Sequence, residues 1–263
     1  MALPTRTVDI AADMGESFGV WTRGRDEEIA PYLTSAHIAC GVHASDPGTL
    51  RRTIELLAGH GVAIGAHPGY PDLLGFGRRR MDMTPREIED TVLYQVAVVK
   101  GMVEALGSRL QHVKPHGALY HAAEVDDLVA AAIVAATKRF VPPLAIVTTP
   151  HSRLFAQAAA AGAPAAREFF LDNAYKADGT LLSRRLPEAV LNDPEAMCRR
   201  AVEAVRAGRV AAVDGTMIEV RVDTICLHGD HEPSAVALPK LRVALEAAGV
   251  AVRPLGDFVR PPA

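Results

Sequence analysis

The sequence 62-VAIGAHPGYPDLLGFGRRR-80 joins a short apolar run to a loop that is rich in proline and glycine. Its apolar part, residues 62–64, has the length and composition of a buried strand, and the run breaks at Gly65. His67 then stands where the strand meets the loop. A buried parallel strand that leads into a functional loop shows this pattern. Because a hydrogen-bonded structural histidine fits a single such position equally well, the interpretation depends on whether the pattern recurs.

The same pattern does recur along the chain. Short apolar runs that are predicted to be strands alternate with segments that are predicted to be helices, one of which covers residues 125–139. Helix starts are marked by a proline directly after Asp46 and by a TPRE capping box that begins at Thr84. The seven predicted strands are residues 8–12, 36–42, 62–66, 112–115, 144–148, 166–170 and 224–227. This alternation predicts an α/β protein with a parallel sheet.

Nearly every predicted strand ends in a polar residue at its carboxyl edge, where parallel α/β folds bind ligands. These residues are Asp13, His43, His67, His116, His151, Glu168 and His228. A doubly wound sheet needs such residues only beside its switch point, so their wide distribution favours a closed or nearly closed barrel. We therefore predict an incomplete seven-stranded (β/α) barrel. Because no linker or compositional break is present, we expect a single domain over residues 1–263.

The composition narrows the class of protein. Hydrophobic residues make up 49% of the chain and charged residues 22%, which is typical of a globular core. The net charge of -3, without a long basic stripe, argues against nucleic-acid binding. The three cysteines have no C-x-x-C spacing and predict reduced thiols. Since neither a signal peptide nor an apolar run of membrane-spanning length is evident, we expect a cytoplasmic protein.

The polar residues at the strand ends suit two kinds of chemistry. Carboxylates and imidazoles can bind a divalent metal, and they can act as general acids and bases. Lys114 is suited to hold an anionic substrate or to polarise a carbonyl group. Each residue also has a structural interpretation, such as a helix cap or a backbone hydrogen bond. The phosphate-binding motifs G-x-x-x-x-G-K-[ST] and G-x-G-x-x-G are absent, and residues 75–78 (GFGR) form either an anion-binding backbone nest or an ordinary turn.

Six motifs, spread over nearly the whole chain, resemble the LamB/YcsF family. They are DMGESFG (13–19), TSAHIACGVHASDP (34–47), AIGAHPGYPDLLGFGRR (63–79), LQHVKPHGALY (110–120), DGTLLSR (178–184) and CLHGD (226–230). The chain departs from the usual family pattern at Ala11 and Ala12, where Asn-Cys is common, and at Asn173, where an arginine is frequent. The family is identified as the A subunit of the prokaryotic ATP-dependent 5-oxoprolinase.

The resemblance implies a fold similar to the glycoside hydrolase/deacetylase barrel and a role in opening 5-oxo-L-proline to L-glutamate. It also implies ATP as co-substrate, which is hydrolysed to ADP and phosphate, and B and C subunits as partners. Neither nucleic acid nor membrane is expected as a partner. The expected catalytic residues are Asp13, Glu16, His67, Lys114 and His116. The expected substrate-binding residues are His43, Arg78, Arg79, Glu168, His228 and Asp230, and the residues suited to a divalent metal are Asp13, His43, His67 and His116.

A chemical hypothesis connects these residues with the lactam. Amide resonance protects the lactam carbonyl, and phosphorylation of its oxygen by ATP would expose the carbon to water. Asp13 or a histidine would then act as the base, while Lys114 or an arginine would stabilise the oxyanion or hold the substrate carboxylate.

Two other functions remain open at this stage. In the first, the chain is a stand-alone metal-dependent amidase or deacetylase-type hydrolase, with Asp13, His43 and either His67 or His116 around zinc. In the second, it is a non-catalytic subunit that binds oxoproline and delivers it to a partner. Chelator-sensitive activity without ATP would indicate the former, and partner activity that survives the loss of Asp13 and His67 would indicate the latter.

Overall fold

The computed structural model describes residues 6–183 and 186–261. Within these ranges the strands are β1 (Thr7–Met14), β2 (Ser35–Ala39), β3 (Ala63–His67), β4 (Leu110–Val113), β5 (Ala145–Thr148), β6 (Ala165–Phe170), β7 (Arg209–Ala211), β8 (Met217–Glu219), β9 (Thr224–His228) and β10 (Ala251–Val252). Seven of them, β1 to β6 and β9, pair side by side in parallel. The short strands β7 and β8 form an antiparallel hairpin, and β10 pairs with the start of β1.

The seven parallel strands close into a ring. Each strand pairs with the next in chain order, and β9 pairs with both β6 and β1. The β1–β9 register places Asp13 opposite His228, so residues from both ends of the chain meet at one edge. The predicted seven-stranded (β/α) barrel is therefore confirmed. It is incomplete in having one strand fewer than the eight of the common (β/α) barrel.

Helices surround the barrel. They are α1 (Asp26–Ile29), α2 (Pro47–Gly59), α3 (Pro85–Ala105), α4 (Gly117–Val125), α5 (Asp127–Thr137), α6 (Arg153–Ala160), α7 (Pro194–Ala207) and α8 (Glu232–Ala247). The predicted caps are present: the Asp46 side chain accepts hydrogen bonds from the first turn of α2, and Thr84 forms a capping box with Glu87. These local signals fix where the two helices begin.

Several predicted boundaries were wrong. Strand β2 ends at Ala39 because the chain turns at Gly41, whose φ of 87° is left-handed, so His43 lies in a loop. Strand β4 begins at Leu110 and ends at Val113, earlier than predicted. The helix predicted over 125–139 is α5, which begins at Asp127 because Asp126 is extended and caps it with its side chain, and the preceding helix α4 was not predicted. The loop after β2 is therefore longer than the sequence suggested, whereas the one after β4 is short, because α4 begins at Gly117.

The barrel interior is polar, and the apolar core lies between the strands and the helices. Along β1, Val8 and Ile10 pack in the main hydrophobic cluster, whereas Asp9 and Asp13 contact polar side chains of other strands. This alternation is the ordinary two-residue period of a strand. Two rings, those of His37 and His112, meet inside the barrel with 2.9 Å between Nδ1 and Nε2. The fold therefore concentrates ionisable groups along the barrel axis.

Some predictions reach beyond the described residues. The single domain predicted over 1–263 includes residues 1–5, 184, 185, 262 and 263, and the 178–184 motif ends at Arg184, which also lies outside the described ranges. Within those ranges, no helix combines the length and the apolar character that a bilayer crossing requires. The cytoplasmic location stays a prediction.

Candidate functional site

A cavity of about 600 Å³ opens at the carboxyl ends of the barrel strands. Its walls combine the strand ends with the loops that follow β3, β4 and β6. This is the edge at which parallel α/β barrels bind ligands. Of the eleven residues predicted for the site, eight line the cavity: Asp13, Glu16, His67, Arg78, Lys114, His116, His228 and Asp230.

Lys114, directly after β4, places a buried ammonium group at the inner end of the cavity. Its Nζ lies 2.9 Å from Asp13 Oδ1 and 2.9 Å from Glu168 Oε1, and it donates to Cys226 Sγ at 3.0 Å. Burial by itself would lower the pKa of Lys114, but Asp13, Cys226 and Glu168 outweigh burial and raise that pKa well above its usual value. Lys114 is therefore a fixed positive charge that is already engaged by protein groups.

Asp13, near the end of β1, is held from two sides. Oδ1 accepts a hydrogen bond from Lys114 Nζ, and Oδ2 lies 3.3 Å from His67 Nε2. Burial would raise the pKa of Asp13, but the charges of His67 and Lys114 hold it well below its usual value. Asp13 is thus a charged carboxylate in a fixed position and a weak proton acceptor.

His67, the last residue of β3, faces His116, which directly precedes α4. His67 donates from Nδ1 to the Lys114 carbonyl oxygen at 2.7 Å, and His116 donates from Nε2 to the Phe76 carbonyl oxygen at 2.8 Å. The other two ring nitrogens, His67 Nε2 and His116 Nδ1, are 3.0 Å apart. Burial, and then His43 and His67 beside it, hold the pKa of His116 well below its usual value, so this ring is uncharged.

Glu16 lies just beyond β1 and contributes a second carboxylate to the cavity wall. Burial and the neighbouring Asp13 carboxylate raise the pKa of Glu16 to about 7. Arg23 Nε lies 3.4 Å from Glu16 Oε2, and its NH2 group lies 2.6 Å from Asp230 Oδ2. The Arg23 guanidinium also lies 4.1 Å from the centre of the Phe76 ring. Arg23 thus joins wall residues from the beginning and the end of the chain.

Glu168 and His228 were both predicted to bind substrate, and the structure separates them. Glu168 lies beneath the cavity, where Oε1 faces Lys114 and Oε2 accepts a hydrogen bond from the Tyr120 hydroxyl at 2.8 Å. His228 lies in the wall, with Nδ1 2.8 Å from Asp172 Oδ2. In this geometry His228 can contact a ligand directly, whereas Glu168 acts only through the groups above it.

His43 supports the wall from behind and does not line the cavity. Its ring stacks on that of His116, with 4.1 Å between the ring centres and 11° between the planes. Neither ring nitrogen of His43 has a hydrogen-bond partner within the described part of the protein, and burial followed by the charge of His67 lowers its pKa to about 3. The direct ligand contact predicted for His43 is therefore replaced by a packing contact.

The loop that carries Arg79 closes on itself. Arg79 Nε donates to Asp72 Oδ2 at 3.0 Å, and Arg79 does not line the cavity. The Asp72 side chain also accepts from the Gly75 amide, and the Asp72 carbonyl oxygen accepts from the Gly77 amide, each at 2.9 Å. Because these amide groups already have internal partners, the anion-binding nest considered for residues 75–78 is not formed.

The sequence interpretation missed several residues of the site. Cys226 and Tyr120 contact the buried charges, and Arg80 and Lys176 line the exposed side of the cavity. Two signals were available. Cys226 stands two residues before His228, so the two side chains lie on the same face of the predicted strand. Tyr120 stands one helical turn after His116. Arg80 and Lys176 carried no such signal, because their positions depend on the conformation of long loops.

Two groups of side chains among the described residues bring potential metal ligands within 4.8 Å of one another. One consists of Asp13, His37 and Cys226, and the other of Glu16, His67 and His116. In the first group, the Lys114 ammonium already contacts the Asp13 and Cys226 ligand atoms. In the second group, Arg23 Nε lies 3.4 Å from Glu16 Oε2. This group differs from the predicted set by including Glu16 and leaving out Asp13 and His43.

Comparison with known proteins gives three similarities. A model of the LamB/YcsF family matches residues 8–260. The A subunit of the 5-oxoprolinase of Pyrococcus furiosus is 45% identical over 253 residues, which cover 96% of this chain and 99% of that protein. The crystal structure of a lactam utilization protein from Thermus thermophilus superposes with a TM-score of 0.89 at 44% identity, covering 94% of this chain and 99% of the other.

A more distant likeness concerns the fold alone. A peptidoglycan deacetylase from Bacillus subtilis superposes with a TM-score of 0.50 at 12% identity, over 97% of this chain and 90% of the other. This agrees with the predicted likeness to the deacetylase barrel. At such low identity, nothing about chemistry follows from it.

Proposed function

The chain belongs to the LamB/YcsF family, and from this premise we propose that it is the A subunit of a 5-oxoprolinase, a cyclic-amide hydrolase. The proposal rests on the relatives that match over nearly their full length and bear the name of the 5-oxoprolinase A subunit. The lactam utilization protein, whose fold is nearly identical, supports it. The substrate we assign is 5-oxo-L-proline, and the product is L-glutamate.

The proposed reaction uses ATP because an unstrained lactam carbonyl is a poor electrophile. The lactam oxygen attacks the γ-phosphorus of ATP, and ADP leaves. Water then adds to the activated carbon, and the ring C–N bond breaks as the nitrogen takes up a proton. A second water molecule releases phosphate from the resulting acyl phosphate. Because this chain contains no common phosphate-loop motif, we propose that the nucleotide reaches the cavity in an assembly with B and C subunits.

The cavity has two ends of opposite character, and both fit this substrate. At the inner end, Glu16 and His67 face the cavity beside the fixed charge of Asp13, which suits them to accept and pass protons. At the exposed end, Arg78, Arg80 and Lys176 supply positive charge that suits a carboxylate or a phosphate group. We propose that the lactam ring points inward and the carboxylate outward.

The first experiment measures glutamate release from 5-oxo-L-proline, with and without ATP, using this chain mixed with its B and C partners. We expect ATP-dependent release that requires this chain. Release without ATP that a chelator stops would instead establish the stand-alone metal-dependent amidase. That second candidate is favoured by one observation, the group of Glu16, His67 and His116 that a metal ion could join.

The first substitution we would test is Asp13→Asn. It keeps the shape but removes the charge that Lys114 Nζ and His67 Nε2 contact, so turnover should fall by at least ~100-fold. Unchanged circular dichroism and unchanged assembly with the partners would show that the fold is intact. Wild-type turnover in this variant would refute a catalytic role for this end of the cavity and would favour a subunit that only binds and delivers oxoproline.

A further inference from the structure

Two backbone carbonyl groups determine which nitrogen of each facing histidine carries the proton. A carbonyl oxygen only accepts hydrogen bonds, so His67 is protonated at Nδ1, opposite the Lys114 carbonyl, and His116 is protonated at Nε2, opposite that of Phe76. The remaining nitrogens, His67 Nε2 and His116 Nδ1, face each other across 3.0 Å. Each of them carries a lone pair unless a further proton turns its ring into an imidazolium.

Two facing lone pairs in a buried place repel each other unless a positive charge lies between them. The two rings are 1% and 3% exposed, so water screens the repulsion poorly. The Asp13 carboxylate adds negative charge, since its Oδ2 lies 3.3 Å from His67 Nε2. The arrangement therefore calls for a cation, which is either a proton on His67 Nε2, which Asp13 Oδ2 or His116 Nδ1 can accept, or a metal ion.

We propose that His67 Nε2, His116 Nδ1 and a carboxylate oxygen of Glu16 bind one divalent transition-metal ion of the zinc type. The three ligand atoms lie within 4.8 Å of one another. Two ligands at the usual zinc distances are ~3.3 Å apart in a tetrahedral site, close to the 3.0 Å between the two nitrogens. Two imidazoles, one carboxylate and an open side toward the cavity form the ligand set of a catalytic rather than a structural site.

The groups around the two histidines support this assignment. Histidines that bind metals usually donate their other ring N–H to a backbone carbonyl or a carboxylate, which fixes both tautomer and orientation. Both histidines do so here, through the Lys114 and Phe76 carbonyl oxygens. His43 holds the ring of His116 by stacking. The ligands are thus oriented before any ion arrives.

Competing positions are less suitable. The group of Asp13, His37 and Cys226 has the Lys114 ammonium 2.9 Å from Asp13 Oδ1 and 3.0 Å from Cys226 Sγ, so a second cation there would be repelled. His43 was part of the ligand set expected from the sequence, but its ring stacks on that of His116 and it is not part of either group. In the proposed site, a protein cation contacts one ligand residue, with Arg23 Nε 3.4 Å from Glu16 Oε2, whereas Lys114 contacts two ligand atoms of the competing group.

When bound, such an ion supplies Lewis-acid activation of a carbonyl oxygen or a water molecule. Only this role in the reaction rests on the proposed function; the binding of the ion does not. Within the proposed reaction, His67 and Glu16 would orient the ion toward the inner end of the cavity, where we place the lactam ring. Asp13 and Lys114 would remain the fixed charges behind it.

The test is a titration of the chelator-treated full chain with Co²⁺, followed by visible absorption, and with Zn²⁺ in competition. We expect one ion per chain and an intense absorption band of low-coordinate Co²⁺. Loss of a residue that only hydrogen-bonds to a metal ligand lowers metal affinity by ~10–100-fold. Loss of a ligand itself should cost more, so we expect His67→Gln, His116→Gln and Glu16→Gln each to weaken Co²⁺ binding by more than ~100-fold. His60→Gln, at an exposed histidine, and His43→Phe, which keeps the stack, should leave Co²⁺ binding unchanged.

A measurement on the unaltered chain guards against variants that fail to fold. Binding of Co²⁺ should produce paramagnetic shifts of the His67 and His116 ring nitrogen signals in a nitrogen-15 NMR spectrum, and not of the His60 signals. No stoichiometric Co²⁺ binding, or shifts only elsewhere, would overturn the proposal and leave a proton on His67 Nε2 as the cation. Because no lactam or ATP is used, this outcome is independent of whether glutamate is released.

Discussion

Lys114 shows how one side chain organises the inner end of the cavity. A lysine at a strand end seemed suited to hold an anionic substrate, yet its ammonium group contacts Asp13, Glu168 and Cys226. Such a buried charge is costly unless it is paired, and its partners would be equally costly without it. Lys114 therefore keeps Asp13 charged and in place, and a substrate meets Asp13, Glu16 and His67 rather than a free lysine.

Asp9, at the other end of β1, offers a residue-scale test that does not involve the cavity. Its carboxylate accepts hydrogen bonds from three uncharged hydroxyls, those of Thr34, Ser35 and Thr224, which join β1 to its neighbours. Burial is the dominant effect and raises the pKa of Asp9 from 3.8 to about 6. The native state therefore binds this proton more tightly than the unfolded chain does.

The sign of the pH effect follows from this shift. Between about pH 4 and pH 6 the native state holds more protons at Asp9 than the unfolded state, so the contribution of Asp9 to the free energy of unfolding falls as pH rises. We expect the free energy of unfolding of Asp9→Asn to rise by about 2 kcal/mol relative to that of the wild type between pH 4 and pH 7. Urea unfolding of both proteins at several pH values measures this, and a pH-independent difference would contradict it.

At the scale of elements, β3 depends on a glycine at its centre. A Cβ atom at Gly65 would overlap the His112 ring, which lies against the strand inside the barrel. His112 in turn pairs with His37 on the neighbouring β2. The absence of a side chain at Gly65 therefore makes room for a buried histidine pair and fixes how closely β3 and β4 can approach.

We expect Gly65→Ala to destabilise the fold by about 1–3 kcal/mol, because the added methyl group overpacks the interior. In a His112→Ala background the same change should cost less than about 1 kcal/mol, because the clashing ring is gone. Urea unfolding of the four proteins measures the coupling.

Gly101→Ala is the matched control. A Cβ atom there meets nothing within 4 Å, and on the exposed face of α3 the change should stabilise the fold by about 1 kcal/mol. Equal costs of Gly65→Ala in both backgrounds would refute the explanation.

The elements were more predictable than the loops that connect them. Apolar runs and caps such as that of Asp46 are local signals, and they gave the seven strands and the starts of α2 and α3. His43 and Arg79, predicted to bind substrate, do not line the cavity. Their positions depend on contacts with His116 and Asp72 that only the tertiary fold sets. The tautomers of the facing histidines depend on distant carbonyl groups, which no local pattern encodes.

At the scale of the whole molecule, closure of the ring creates the site. Asp13 and His228 are far apart in sequence but lie opposite each other in the β1–β9 register, and Arg23 joins Glu16 to Asp230 above them. Because the wall needs both ends of the chain, the cavity exists only when the barrel is complete. We therefore expect ligand binding in this cavity to stabilise the entire fold.

Thermal unfolding of the isolated chain tests whether the cavity is the lactam site. A ligand that binds only the native state at 100 times its Kd adds ~2.7 kcal/mol, which for a chain of this size raises Tm by ~5–10 °C. We expect 5-oxo-L-proline to give such a shift. L-Proline, which lacks the lactam carbonyl, should give no shift in Tm, and 2-pyrrolidone, which lacks the carboxylate, should give a smaller one.

Arg78→Gln should reduce the Tm shift caused by 5-oxo-L-proline but not the shift caused by 2-pyrrolidone. The reason is that Arg78 lines the exposed end of the cavity, where we place the carboxylate. If 5-oxo-L-proline gives no shift while the assembled subunits release glutamate, the lactam binds in a site that this chain does not form by itself.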